Sequence, residues 1–161
     1  MEPTDQQTRP ALFTVGHSNH SLDQFLDLLK RAEVQVLVDV RSYPYSRYVP
    51  HFNREEIETA VKRAGLRYLF LGRELGGRPD QEEYYDDEGR ALYYRIARSP
   101  DFLGGIERLE AGIRRFRVAV MCSEENPAVC HRHLLVGRVM RERGAEVRHI
   151  RGDGSLQDDS D

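Results

Sequence analysis

The stretch Val36-Leu37-Val38-Asp39-Val40-Arg41-Ser42-Tyr43-Pro44-Tyr45-Ser46-Arg47 decides the fold. Three of its first five residues are β-branched valines and the run is almost continuously apolar, the pattern of a central parallel strand buried on both faces. The run then turns abruptly into a polar loop carrying two arginines and two tyrosines. Working outward, the same succession of apolar strand and polar loop recurs. Leu12-Phe13-Thr14-Val15 ends at Gly16, Leu66 to Leu71 ends at Gly72, and Val118-Ala119-Val120-Met121 ends at Cys122. Val147 and Ile150 mark a last strand, alternating and nearer an edge.

Helical patterns fill the intervals. Ser21 is placed to cap a helix whose apolar positions Leu22, Phe25, Leu26 and Leu29 share one face. Asn53 with Glu56 forms a capping-box variant before Ile57, Ala60, Val61 and Ala64, and Gly65 is a natural stop. A short helix is expected around residues 91–98. Ser99-Pro100 starts another with the stripe Phe102, Ile106, Leu109 and Ile113, and Pro127 opens one that runs to about Arg143. Strands alternating with helices predict an α/β fold: a single three-layer domain, a mainly parallel sheet of about five strands, and helices on both faces.

Composition sets the limits. The chain has 161 residues, 39% hydrophobic and 32% charged, enough apolar material for one core under a very polar surface. Its net charge of −3 is concentrated at the ends. Residues 1–10 and the acidic 152–161 are expected to be disordered tails, leaving a slightly positive domain at 11–151. No apolar run approaches the ~18 residues of a membrane span, and residues 1–10 have no signal-peptide character. Two cysteines are too few for a secreted disulfide framework, so a reducing, cytoplasmic setting is expected.

In open α/β sheets the ligand crevice lies beyond the carboxyl ends of the strands. Four segments fall there, all rich in chemically capable side chains: 16–21 with His17 and Ser18, 39–47 with Asp39, Arg41, Tyr43, Ser46 and Arg47, 72–78 with Glu74, Gly76 and Gly77, and 122–132 with Cys122, Glu124, Cys130, His131 and Arg132. The opposite strand ends carry ordinary charged linkers.

Cys130, read as lying in a first helical turn beside His131 and Arg132, has surroundings that favour a thiolate. The two cysteines admit four readings: a reactive thiol, a buried inert pair, a redox pair, or metal ligands. No paired spacing supports metal, so none is expected, and no cofactor is required. A phosphatase loop needs Arg six positions after its Cys, where this chain has Ala128 or Val136. His17 is the general acid–base candidate by type and place, with His131 as second choice, and Glu124 or Glu74 would orient them. His133 and His149 are read as structural. Arg41, Arg47 and Arg132 suit an anion clamp. The turn at residues 16–18 offers backbone amides for a phosphate or carboxylate, or simply a helix cap. Loop 41–54 mixes Arg with Tyr43, Tyr45, Tyr48 and Phe52, the composition of a nucleotide or single-strand platform, or of a loop packing its rings on the body with Arg41 paired to Asp39 or Glu74.

Together, Thr14-Val15-Gly16-His17-Ser18, Val38-Asp39-Val40-Arg41-Ser42 with Pro44 and Ser46-Arg47, Glu74-Leu75-Gly76-Gly77, and Met121-Cys122-Ser123-Glu124 with Pro127 and Cys130-His131-Arg132 resemble the bacterial and archaeal family called domain of unknown function 488. The resemblance implies an α/β cytosolic domain and brings no established reaction. Val38 to Arg41 is also similar to the strand end of rhodanese domains, but no cysteine-started loop closing on Arg follows it.

The expectation is an enzyme with a Cys/His/Arg site acting on a phosphate-bearing or anionic substrate, such as a nucleotide or nucleic-acid component. The alternatives are a non-catalytic nucleotide or nucleic-acid binding module built on loop 41–54, and a protein-interaction domain. The expected partner is a small anionic molecule or nucleotide, with nucleic acid as the alternative and no membrane. Oligomeric state is not readable.

Overall fold

Alternate residues of each central strand face opposite cores. In the computed structural model, which describes residues 9–130 and 132–159, Leu12, Val38, Val120 and Val147 point to one face of the sheet. Phe13, Leu37, Ala119 and Ile150 point to the other. This period of two in strands buried on both faces is why the runs read as continuously apolar.

The elements in chain order are β1 (Ala11–Gly16), α1 (Leu22–Arg31), β2 (Val36–Asp39), α2 (Arg54–Arg63), β3 (Arg67–Phe70), the single turn α3 (Gly72–Leu75), the single turn α4 (Tyr93–Ile96), α5 (Pro100–Ile113), β4 (Val118–Cys122), α6 (Arg138–Glu142), β5 (Glu146–Ile150) and β6 (Leu156–Asp158). They build a three-layer α/β structure around one six-stranded sheet of order β3-β2-β4-β1-β5-β6. Every pairing is parallel except β5 with β6.

The local signals act as their chemistry suggests. Ser21 forms a reciprocal capping box with Gln24 at the start of α1. The Ser99 side chain accepts from the Phe102 amide, with Pro100 opening α5. All four stripe residues of α5 are buried. Gly65 ends the α2 region with φ +89°, a left-handed conformation that only glycine adopts without strain.

Three expectations are corrected. Asn53 makes no capping hydrogen bond to α2; its Oδ1 accepts from the Ser46 amide at 2.7 Å instead. The single helix expected from Pro127 is broken: a 3-10 turn Pro127–Val129, Cys130 in extended backbone, a π-helical stretch Arg132–Gly137, then α6. The expected C-terminal tail folds through Asp159. There β6 pairs with β5, and Asp159 binds His149 at 2.7 Å and Arg141 at 2.9 Å. Of the expected N-terminal tail, residues 1–8 lie outside the described residues, and Pro10 accepts from the Glu146 amide.

The topology positions the site. From β1 the chain steps through α1 and α2 to β2 and β3 on one face. It returns through α5 and α6 to β4 and β5 on the other. Neighbouring strands β2 and β4 therefore send their carboxyl ends to opposite faces, which opens a crevice between them. Among the described residues no helix is long and apolar enough to cross a membrane.

Candidate functional site

The floor of the crevice is an ionic chain running across three strands. Asp39 ends β2 with no exposed surface, and Arg41 is 6% exposed. The carboxylate receives Arg41 Nε at 2.9 Å, Arg41 Nη2 at 2.8 Å and the Arg41 amide at 3.1 Å. Tyr68 on the neighbouring strand β3 donates to Asp39 Oδ2 at 2.7 Å. Burial, with the Asp39 charge next, pushes the Tyr68 phenol well above its ordinary pKa, so it stays a donor. Arg41 Nη1 lies 3.3 Å from His17 Nε2.

The His17 ring is held on all sides. Its Nδ1 lies 2.9 Å from the Ser18 carbonyl, which only accepts, so the proton sits on Nδ1 and Nε2 accepts from Arg41. The ring stacks on Phe52 at 4.6 Å. Burial lowers its pKa to about 4, with the nearby Arg41 charge adding to the effect. His17 is thus a neutral acceptor that aims Arg41, rather than a free acid–base group. Asp39, expected to touch substrate, is spent on Arg41 and Tyr68. Asp39 and His17 together occupy three guanidinium N–H groups of Arg41. The remaining two have no partner among the described residues.

The turn after β1 is not an open amide cradle. The amides of His17 and Ser18 donate to the Cys122 and Ser123 carbonyls at 3.0 and 2.8 Å, and that of His20 donates to His17. The Ser21 amide donates to Gln24. Ser18 (φ +47°) therefore continues the β1–β4 pairing one step beyond the strands.

The cysteines meet at the head of β4. Cys122 points to the same face as Val118 and Val120, and a disulfide joins it to Cys130. The two sulfurs are thus bonded to each other, a contact that an inert link and a redox pair share. Both cysteines line a cavity of about 240 Å³ together with Arg41, Arg78, Tyr93 and Glu124. Arg132 has its side chain, and His131 all its atoms, outside the described residues. Among the described residues no group of three or more His, Cys, Asp or Glu could hold a metal ion.

A second cavity of about 420 Å³ adjoins the first, sharing Ser42 and Arg78 as walls. Tyr43, Arg54, Arg73 and Glu74 line it. Arg54 lies over the Phe70 ring at 4.1 Å and Arg78 over Tyr85 at 5.0 Å. Gly76 closes the partition: a Cβ there would collide with Ser42 Oγ and the Gly72 carbonyl. Ser42 Oγ in turn accepts from the Arg78 amide at 3.0 Å. Gly77 lines the smaller cavity.

Ser46 turns inward to its own loop, accepting from the Tyr48 amide at 3.0 Å. Arg47 is exposed and lines neither of these two cavities. Sequence reasoning missed Arg78, Ser42 and Tyr68 as site residues. Arg78 follows the Gly-Gly turn directly, which was a usable signal. Tyr68 depends on β3 lying next to β2, which no local pattern reveals.

The family model for Domain of unknown function DUF488 matches residues 21–139. The chain belongs to this family. The matched range contains the DUF488 segments that follow β2, β3 and β4, while Thr14 to Ser18 lies just before it. No curated protein and no solved structure matches the chain.

Proposed function

We propose that this DUF488 protein is a thiol-dependent enzyme acting on an anionic, phosphate-bearing substrate, with Cys122 and Cys130 as a cycling dithiol. The observation that carries the reading is the Cys122–Cys130 pair lining one cavity with Arg41 and Arg78. In the oxidised form the two sulfurs share one bond. A dithiol reductant delivers two electrons and two protons, breaking that bond to give two thiols while the reductant closes its own disulfide. The reduced pair then passes two electrons and two protons to a disulfide bond carried by the anionic substrate, which breaks to two thiols as the Cys122–Cys130 bond re-forms.

Arg41 supplies the fixed charge. Its guanidinium is held by Asp39 and His17, so presenting the two remaining N–H groups to an oxyanion costs little further ordering. Arg78, exposed and lying over the Tyr85 ring, adds a second cation. Nearby guanidinium charge also favours thiolate over thiol at either cysteine. Glu124, which lines the same cavity, is the proton carrier in this reading.

The test is competitive alkylation of the reduced protein by iodoacetate and iodoacetamide. The anionic reagent should be favoured at Cys122 or Cys130 relative to its preference for a free thiol. Inorganic phosphate should suppress that excess, and Arg78→Ala should diminish it. A reagent ratio equal to that of free cysteine would remove the anion site from the account.

A further inference from the structure

The larger cavity has the chemistry of a nucleotide's remainder. We infer that it binds the base and sugar of a nucleotide unit whose phosphate lies at Arg41 and Arg78. The inference rests on the anion site proposed above and names the substrate class of that site.

Three observations lead there. The cavities lie side by side along Ser42 and Arg78 and both open to solvent, so a ligand anchored at Arg41 reaches the second over that wall. The second cavity, at about 420 Å³, falls within the ~300–1,000 Å³ range of small-molecule pockets. Its rings are available: Tyr43 is 78% exposed and Tyr45 41%, set edge-to-face at 5.4 Å. Phe52, by contrast, is the ring of this loop that packs into the core with no exposed surface. Exposed tyrosines beside Arg54 and Arg73 form a stacking surface for a planar base.

The charge pattern selects among anions. The same cavity carries Glu74, Asp80 and Asp101 as well as its three arginines. A bare polyanion would meet those carboxylates unfavourably. A nucleotide offers them donors, its ring amino groups and sugar hydroxyls, while its phosphate goes to the guanidinium groups. The source of the unit, a free nucleotide or a single strand, is open to direct comparison.

Titration calorimetry of the full chain in dithiothreitol decides it. The ligands are inorganic phosphate, ribose 5-phosphate, the four ribonucleoside monophosphates and a single-stranded hexanucleotide. The expected result is that at least one monophosphate binds about tenfold or more tightly than ribose 5-phosphate, the scale of one base stacked on an aromatic ring. Tyr43→Ala and Arg73→Ala should each erase much of that advantage and leave phosphate binding unchanged. A hexanucleotide that outbinds every monomer supports the nucleotide unit and assigns it to a strand; the reverse order supports it and assigns it to free nucleotide. Monophosphates no tighter than ribose 5-phosphate, or an advantage that survives Tyr43→Ala, overturn the inference. Phosphate still suppressing alkylation in that case would leave the thiol reading standing. Unreactive thiols with nucleotide preference intact would remove the thiol reading alone.

Discussion

Arg41 Nη1 meets His17 Nε2 at 3.3 Å, so a buried neutral imidazole aims a buried guanidinium at the cavity that holds both cysteines. This arrangement needs His17 unprotonated. Protonation would set two cations against each other inside the sheet crest.

The consequence is a pH-dependent stability with a definite sign. The folded-state pKa of His17 is about 4 against 6.5 for the unfolded chain. The unfolded state therefore binds the extra proton between those values, and its gain is stability lost by the fold as pH falls through that window. Chemical denaturation at pH 7 and pH 4 should show wild type losing about 3 kcal/mol more than His17→Gln. Parallel losses in the two proteins would mean that His17 is charged or solvated when folded.

Asp39 is the anchor of the ionic chain, and removing it leaves Arg41 as a buried cation without its carboxylate. Asp39→Ala should cost about 3–5 kcal/mol in urea unfolding. Tyr68→Phe, which deletes one hydrogen bond to the carboxylate, should cost about 1–3 kcal/mol. Equal costs would place the weight of the cluster elsewhere.

Two glycines should respond oppositely to one methyl group. Gly76→Ala drives a Cβ into Ser42 Oγ and the Gly72 carbonyl and should cost about 1–3 kcal/mol while displacing Arg78. Gly104→Ala lies in the interior of α5 with open space around it and should stabilise by about 1 kcal/mol. Thermal unfolding of the two variants checks both signs.

The C-terminal strand is held by charge. Asp159 accepts from Arg141 and pairs with His149, whose other ring nitrogen lies 2.6 Å from Thr14 Oγ1 on β1. Asp159→Ala should cost about 1–3 kcal/mol and speed amide exchange in residues 156–158 ahead of the rest of the sheet.

That last contact explains why part of the fold escaped sequence reading. Residues 152–161 are acidic and Gly-rich, which is locally the composition of a solvated tail. Their partners, Arg141, Arg148 and His149, are fixed only once β5 and α6 are in place. The break at Cys130 has a similar origin. Val136, Val139 and Met140 carry a helical stripe, but Cys130 lies in extended backbone and is bonded to Cys122, a contact that no local pattern reveals. Where local chemistry acts alone, as at Ser21, Gly65 and Ser99-Pro100, the reading and the structure agree. The candidate site was legible only as a set of strand-end loops, because crossover topology sends those loops to one edge. The division of labour within it was not. Whether His17 faces a ligand or Arg41 depends on distances that no spacing encodes.

The proposed thiol chemistry is read out by the pH dependence of alkylation at Cys122 and Cys130 in the reduced protein, followed separately by peptide mass spectrometry. An ordinary thiol titrates near ~8.5, and one activated by neighbouring cations lies well below. At least one of the two should be modified rapidly at pH 6. Modification of both only above pH 8, or only once the protein unfolds, would contradict it and leave the pair a structural link.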